Sequence, residues 1–177
     1  LQLAQAMATL ANGGTRHPPH LALATGSVVT RERTTLTPDE PPVSLGYKLE
    51  HVQTILRAMY GVTTEGTSTR VFAGAGYRSG GKTGTAQAVS IGQKDKYDAS
   101  KLEEHQRDHA LYVAFAPLEA PTVALAVVVE NAGFGAAQAA PIARRVFDYL
   151  LMDQHPNPQD MAAVQKGQAA APIGIPL

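Results

Sequence analysis

The stretch LYVAFAPLEAPTVALAVVVE, residues 111–130, contains two apolar segments joined by a short connection that is bounded by two prolines. Residues 111–116 and 123–130 have the length and the β-branched and aromatic content of buried strands. The connection, residues 117–121, is much too short for the crossover helix that joins two parallel strands. The stretch therefore predicts an antiparallel β-hairpin, and with it a sheet that is antiparallel at least in part.

Helical periodicity occurs on both sides of this hairpin. Apolar residues recur at helical spacing over residues 1–12, 46–60 and 137–152, which predicts three helices. A third strand is predicted over residues 77–89, and residues 22–31 are the best strand candidate in the region before the second helix. The predicted fold is of the α+β class, an antiparallel sheet flanked by helices.

The composition narrows the class of protein. The 177 residues (18.6 kDa) contain 44% hydrophobic and 17% charged residues, as a globular domain does. Fifteen Lys and Arg balance fifteen Asp and Glu, which argues against a protein that mainly binds nucleic-acid phosphates. The absence of cysteine excludes disulfides and thiolate chemistry. Residues 153–177 are rich in Pro, Gln and Ala, which predicts a flexible tail after a folded unit of residues 1–152.

The glycine-rich segment GYRSGGKT, residues 76–83, matches the P-loop pattern G-x-x-x-x-G-K-[ST]. Glu130 at the end of an apolar strand even imitates the acid that holds magnesium in nucleotide hydrolases. A P-loop, however, must open a helix in a parallel sheet, so that the helix amides face the phosphates. Gly84, Thr85 and the antiparallel hairpin disfavour this interpretation, and a P-loop nucleotide hydrolase is kept as a minor alternative.

Ser79 and Lys82 form an S-x-x-K pattern, the serine nucleophile and lysine base of penicillin-recognising enzymes. That pair needs a helical turn, and Gly80 with Gly81 between the two residues weakens any helix. On a strand the two residues would lie roughly 10 Å apart along the chain. This interpretation is also kept as a minor alternative.

Lys82, Thr83 and Gly84 form a K-T-G element, which lies on a strand in the same class of enzymes. The chemistry needs a fixed cation near the nucleophile, a hydroxyl for the substrate carboxylate and a strand edge beside the substrate. Lys82 and Thr83 supply the first two, and Gly84 permits a substrate or a helix to approach closely. The backbone N–H of Thr85 is the predicted oxyanion donor.

Several segments together resemble the class B penicillin-binding proteins, and within them the transpeptidases of the cell-elongation machinery. They are GKTGTAQ (81–87), RDHALYVAFAP (107–117), VVVENAG (127–133), LAQAMATLANGG (3–14), MYGV (59–62) and the helix over residues 139–151. The resemblance covers about residues 1–152. Because several motifs occur in the right order, the set is specific.

The resemblance implies a serine-type D,D-transpeptidase, which needs no cofactor or metal. Such an enzyme acylates its serine with a peptidoglycan stem peptide ending in D-Ala-D-Ala, and β-lactam antibiotics acylate the same serine. Lys82, Thr83, Gly84 and Thr85 match the third motif of the family, and Gln87 is expected to line the substrate groove. The implied partners are a glycan synthase and scaffold proteins of the elongation complex, at the periplasmic face of the bacterial inner membrane.

The sequence departs from the family pattern in one large respect. Besides Ser79 it has no S-x-x-K, and it has no S-x-N motif. The nucleophile, its base, the helical subdomain and two strands are therefore expected before Leu1, which makes this chain a partial penicillin-binding/serine β-lactamase-like fold, inactive alone. One missing strand would pair with residues 123–129, which are apolar on both faces and lack an evident second partner. A D,D-carboxypeptidase or a β-lactam hydrolase of the same fold, and a non-catalytic piece, stay open as alternatives.

Overall fold

The computed structural model describes residues 1–37, 40–89, 102–155, 158 and 175–176. Its helices are α1 (Gln2–Ala11), α2 (Leu49–Thr64), α3 (Thr69–Phe72) and α4 (Gly135–Met152), with one 3-10 turn over Glu104–Gln106. Its strands are β1 (Thr15–Arg16), β2 (Ala24–Gly26), β3 (Arg33–Thr35), β4 (Val43–Ser44), β5 (Gly80–Ala86), β6 (His109–Ala116), β7 (Val123–Val129), β8 (Gln154–His155) and β9 (Ile175–Pro176).

The main sheet contains three antiparallel strands in the order β5-β6-β7. Gly80 of β5 lies opposite Phe115 of β6, and Val113 of β6 lies opposite Ala126 of β7. The predicted hairpin is therefore confirmed, and so is the α+β class with an antiparallel sheet flanked by helices. Within the described residues β7 pairs with β6 alone, so its predicted central position in the sheet stays a prediction.

Helix α4 packs on one face of this sheet through small residues. Its Ala139, Ala140 and Ala143 are fully buried together with Ala110 and Ala114 of β6. Alanines on both sides let the helix backbone lie close to the sheet, and larger rings fill the remaining space within the same buried cluster. Those rings are Phe72, Tyr112 and Phe147, with Phe72 stacked on Tyr112 at 6.0 Å between ring centroids.

Helices α1 and α2 cover the other face. Met7 and Ala11 of α1, Met59 of α2 and Phe115 of β6 form a second buried cluster. Because side chains alternate between the two faces of a strand, Phe115 and Ala114 belong to different clusters. The sheet is therefore a layer between two helical layers. No helix within the described residues combines the length and apolar character that crossing a membrane requires.

The observed boundaries correct several sequence predictions. Helix α2 begins at Leu49 rather than residue 46 and continues to Thr64, through Gly61. The strand predicted over residues 22–31 is only Ala24–Gly26, since the chain turns after it and pairs with β3. The Ser27 hydroxyl oxygen accepts a hydrogen bond from the Thr30 N–H in that turn, at 3.1 Å.

The strand predicted over residues 77–89 is shorter, Gly80–Ala86, and the helix predicted from residue 137 begins at Gly135. Most of residues 153–177, the predicted flexible tail, lies outside the described residues. Where the tail is described, β8 pairs with β9 in antiparallel fashion. The division into a unit of residues 1–152 and a tail stays a prediction.

Candidate active site

The four residues singled out in the sequence, Lys82 to Thr85, lie together on β5. Lys82 and Thr83 are in the middle of a strand, not at the start of a helix, and the sheet is antiparallel. In a P-loop these two residues begin a helix, and the sheet is parallel. The P-loop interpretation is therefore wrong, and Glu130 lies in the turn that follows β7.

The alternative pair of Ser79 and Lys82 is also excluded by geometry. Ser79 is 2% exposed, and its carbonyl oxygen accepts a hydrogen bond from the Thr63 hydroxyl at 2.8 Å. The two residues are three apart in extended chain, so their side chains point to opposite faces. Ser79 therefore cannot meet the Lys82 ammonium as a nucleophile meets its base.

Lys82 is an exposed cation at the edge of the sheet. It lies opposite Val113, and its ammonium donates a hydrogen bond to the Thr83 carbonyl oxygen at 2.6 Å. None of the ion pairs recorded among the described residues involves Lys82. The ammonium is therefore accessible to an anionic ligand at this edge.

The second edge of β5 has no strand partner among the described residues. Ser79 and Thr83 use their carbonyl oxygens for side-chain donors, Thr63 and Lys82 respectively, which indicates that both carbonyls point to this open edge. Residues two apart in a strand direct their backbone groups to the same side. The N–H of Thr85 therefore faces the same open edge, where a ligand can accept its hydrogen bond.

A further hydroxyl borders this edge. The Thr67 Oγ1 atom lies 3.1 Å from Thr83 Oγ1. Thr67 reaches this position because the chain turns tightly after α2, where a Cβ on Gly66 would lie only 2.8 Å from the Val62 Cα atom. Sequence reasoning missed Thr67, since its sixteen-residue separation from Thr83 follows no local pattern. In that region Gly66, which follows the helical stretch, is the one residue whose type indicates a tight turn.

Gly84 lies where α4 meets the sheet, as its lack of a side chain suggested. The close approach, however, depends mainly on Gly135, the first residue of α4. A Cβ on Gly135 would overlap the Leu111 carbonyl oxygen and lie 2.6 Å from the Gly84 carbonyl oxygen. A Cβ on Gly84 would lie 3.3 Å from the Leu111 Cβ. The helix therefore supports the K-T-G element directly from one side.

A buried polar network holds the segment that leads into β5. The Arg144 Nε donates to Asp148 Oδ1 at 2.6 Å, and the Tyr77 hydroxyl donates to the same oxygen at 2.9 Å. The Arg144 Nη1 also donates to the Val71 carbonyl oxygen at 3.1 Å. Burial, together with the negative charge of Asp148, raises the pKa of Tyr77. The network ties α4 to the end of α3 and to the approach to β5.

The remaining residue predicted for the substrate groove is Gln87, and two histidines lie in and after the 3-10 turn. Gln87 is exposed, one residue beyond the end of β5. His105 lies in the 3-10 turn, and His109 begins β6, where its Nδ1 accepts the Asn131 N–H at 2.9 Å. Over the residues that the structure describes, no three carboxylate or imidazole side chains are grouped as metal ligands.

Comparison with known proteins identifies relatives of this arrangement. The family described as the penicillin binding protein transpeptidase domain matches residues 1–148. The peptidoglycan D,D-transpeptidase MrdA of Haemophilus influenzae is 38% identical over 163 residues, which are 89% of this chain and 24% of that protein. The chain thus spans about a quarter of the length of the curated relatives it matches.

Solved structures show the same fold. The crystal structure of Pseudomonas aeruginosa PBP2 in complex with WCK 5153 is 33% identical, with a TM-score of 0.67 over 87% of this chain and 30% of that one. Penicillin-binding protein A of Mycobacterium tuberculosis, an imipenem acyl-enzyme complex, is 30% identical, with a TM-score of 0.62 over 84% of this chain and 29% of that one.

Proposed function

The chain belongs to the penicillin-binding protein transpeptidase family, and on this premise we propose that it forms one wall of the active site of a peptidoglycan D,D-transpeptidase. In that reaction a serine attacks the carbonyl carbon of the penultimate D-Ala of a stem peptide and releases the terminal D-Ala. An amine of a neighbouring stem peptide then takes the acyl group from the serine. Since the chain spans about a quarter of its relatives, the serine and its base belong to the rest of the intact protein.

The observation that carries the proposal is that three kinds of polar group lie along the open edge of β5. These are the Lys82 ammonium, the hydroxyl of Thr83 with that of Thr67 3.1 Å away, and the N–H of Thr85. A carboxylate accepts hydrogen bonds from hydroxyls and is attracted by an ammonium group. We therefore assign the terminal carboxylate of the donor peptide to Lys82, Thr83 and Thr67, with Gln87 lining the groove beyond it.

The N–H of Thr85 has a different role, which is to stabilise the tetrahedral intermediate. Attack by the serine places negative charge on the former carbonyl oxygen, and a fixed backbone donor stabilises that charge without reorganising. One such donor contributes about 3–4 kcal/mol to the transition state of acyl transfer. An edge strand suits this role because its N–H groups are not all used within the sheet. The Gly84–Gly135 contact holds the strand in place for it.

β-Lactam antibiotics are the second class of ligand that we assign to this edge. A β-lactam presents an acylating carbonyl and a carboxylate, the same two features that the donor peptide presents. The structure of the M. tuberculosis relative is described as an imipenem acyl-enzyme, which supports this assignment. We propose as partners of the intact protein a glycan synthase and scaffold proteins of cell elongation. The location that fits this function is the periplasmic face of the inner membrane.

A D,D-carboxypeptidase or β-lactam hydrolase would use the same wall and pass the acyl group to water instead of an amine. The H. influenzae relative is named a D,D-transpeptidase, which favours the amine acceptor.

The test is a reaction of the intact protein with benzylpenicillin, followed by intact-mass measurement and peptide mapping. We expect a single adduct on a serine outside the 177 residues of this chain, and loss of the adduct when that serine is replaced by alanine. An adduct on Ser79 would contradict the assigned wall, since Ser79 is 2% exposed and directly precedes β5. No adduct on any serine would overturn the proposed function.

A further inference from the structure

We propose that the buried hydroxyl pair of Ser68 and Tyr112 positions Thr67 against Thr83 and thereby sets the preference of the site for a substrate carboxylate. Both are positioning residues, since neither reaches the open edge of β5. The inference rests on the proposed function, because it assigns the carboxylate to Thr67 and Thr83.

Ser68 is fixed from two directions inside the protein. It and Tyr112 are both 0% exposed, and their hydroxyl oxygens lie 2.9 Å apart. The Ser68 hydroxyl and the Ser68 backbone N–H both donate to the Val62 carbonyl oxygen, each at 3.1 Å. A serine hydroxyl has one hydrogen, so Tyr112 must be the donor in the Ser68–Tyr112 bond. Ser68 thus joins the end of α2 to the middle of β6.

The neighbouring residue carries the effect to the open edge. Thr67 is exposed, and its Oγ1 meets Thr83 Oγ1 at 3.1 Å. Because Thr67 directly precedes Ser68, the anchoring of Ser68 determines where the Thr67 backbone lies. Each hydroxyl has one hydrogen, so one of the two donates to the other and the other keeps its hydrogen for the carboxylate. Movement of this turn away from β6 would separate the two hydroxyls, and the hydroxyl that donates to the carboxylate would lose its fixed orientation.

Tyr112 is itself held at a defined position beneath β5. It lies opposite Thr83 in the strand register, and its ring stacks on Phe72. A Cβ on Gly81 would overlap the Tyr112 hydroxyl oxygen and lie 2.6 Å from its Cζ atom, so the glycine before Lys82 provides the space for that hydroxyl. A phenol is already protonated near neutral pH, and burial raises the pKa of Tyr112 further, to about 12, so it stays a donor under alkaline conditions as well.

The test compares two probes on the intact protein, benzylpenicillin with its free carboxylate and the methyl ester of benzylpenicillin. For Tyr112→Phe we expect the second-order rate of acylation by benzylpenicillin to fall about 3- to 10-fold, the change expected for one neutral hydrogen bond. The rate with the ester should change less than about 2-fold, because the ester has no carboxylate to position. The ratio of the two rates is the readout that a purely structural role would not move.

Ser68→Ala is the second variant and should lower the same ratio. Tyr149→Phe, which removes the hydroxyl of a half-exposed tyrosine on α4, is the matched control and should leave both rates unchanged. An equal fall with both probes in Tyr112→Phe and Ser68→Ala, or no change with either, would overturn the inference.

Thr83→Ala separates this inference from the proposed function. A wild-type protein that reacts with neither probe contradicts the proposed function itself. A wild-type protein whose preference for the free carboxylate is lowered by Thr83→Ala, but not by Tyr112→Phe or Ser68→Ala, contradicts the inference alone.

Discussion

At the scale of one residue, the exposed position of Lys82 suits its ammonium group to attract a substrate carboxylate. An ammonium group inside the sheet would need a buried partner, and that partner would compete with a substrate. At the edge of β5 its recorded hydrogen bond goes to a backbone carbonyl, that of Thr83. That neutral contact orients the side chain, and among the described residues no carboxylate forms an ion pair with Lys82, which suits a group that attracts a substrate carboxylate.

Lys82→Ala in the intact protein should therefore lower the rate of acylation by benzylpenicillin about 100- to 1000-fold, as loss of an electrostatic group in an acyl-transfer site does. The rate is measured by stopped-flow or gel-based labelling. Lys48→Ala is the matched control, because Lys48 is also exposed but precedes α2 at the end remote from β5. Unchanged acylation in Lys82→Ala would remove Lys82 from the site.

At the scale of elements, the contact between α4 and the sheet depends on residues without side chains. Alanines on α4 and β6 bring the helix close along its length, and Gly135 brings its first turn against the backbone of Gly84. Backbone atoms cannot move aside as a flexible side chain does. The position of β5 relative to α4 is therefore sensitive to a single methyl group.

Gly135→Ala should lower the free energy of unfolding by about 1–3 kcal/mol, because its Cβ overlaps the Leu111 carbonyl oxygen. Gly61→Ala in α2 is the same substitution in a helix with room, since the nearest atom is Glu65 Oε1 at 3.5 Å. It should raise the free energy of unfolding by about 0.5–1 kcal/mol. Urea denaturation of both variants checks this pair, and a Gly135→Ala protein as stable as wild type would contradict the close contact.

At the scale of the whole molecule, one buried network joins segments that are distant in sequence. Arg144 and Asp148 on α4 bind Tyr77 before β5 and the Val71 carbonyl at the end of α3. The side chains of Arg144 and Asp148 are only 4% and 2% exposed. A charge that deep destabilises the fold unless its partner is present. The network therefore couples correct packing of α4 to correct placement of the K-T-G strand.

Asp148→Ala should lower the free energy of unfolding by about 3–5 kcal/mol, because it leaves the Arg144 guanidinium buried without its carboxylate. Glu119→Ala removes the exposed ion pair with Arg78 instead, and it should change stability by less than about 1 kcal/mol. Thermal unfolding and urea denaturation measure both. A similar loss of unfolding free energy in the two variants would show that burial of the Arg144–Asp148 pair does not determine its contribution to stability.

The local sequence was sufficient for the three long helices, for the strands of the main sheet and for the family, but not for short elements such as α3, β1 and β4. Apolar periodicity predicted α1, α2 and α4, the short connection after Ala116 predicted the antiparallel hairpin, and the K-T-G residues were correctly assigned to a strand. The resemblance to class B penicillin-binding proteins is confirmed by the family match over residues 1–148. The prediction of these features succeeds because they depend on residues close together in the chain. Hydrogen bonds within a helix or a hairpin and the burial of one face are local in this sense.

Which polar groups meet in the folded protein depends on contacts between segments far apart in the sequence. Thr67 and Thr83 are 16 residues apart, Ser68 and Tyr112 are 44 apart, and Tyr77 and Asp148 are 71 apart. Periodicity tells which face of an element is buried, but not which element buries it. The surroundings of Lys82 and Thr83 therefore depend on how α2 turns back along β5 and how α4 packs behind it, and both depend on side-chain shape and on hydrogen bonds between distant segments.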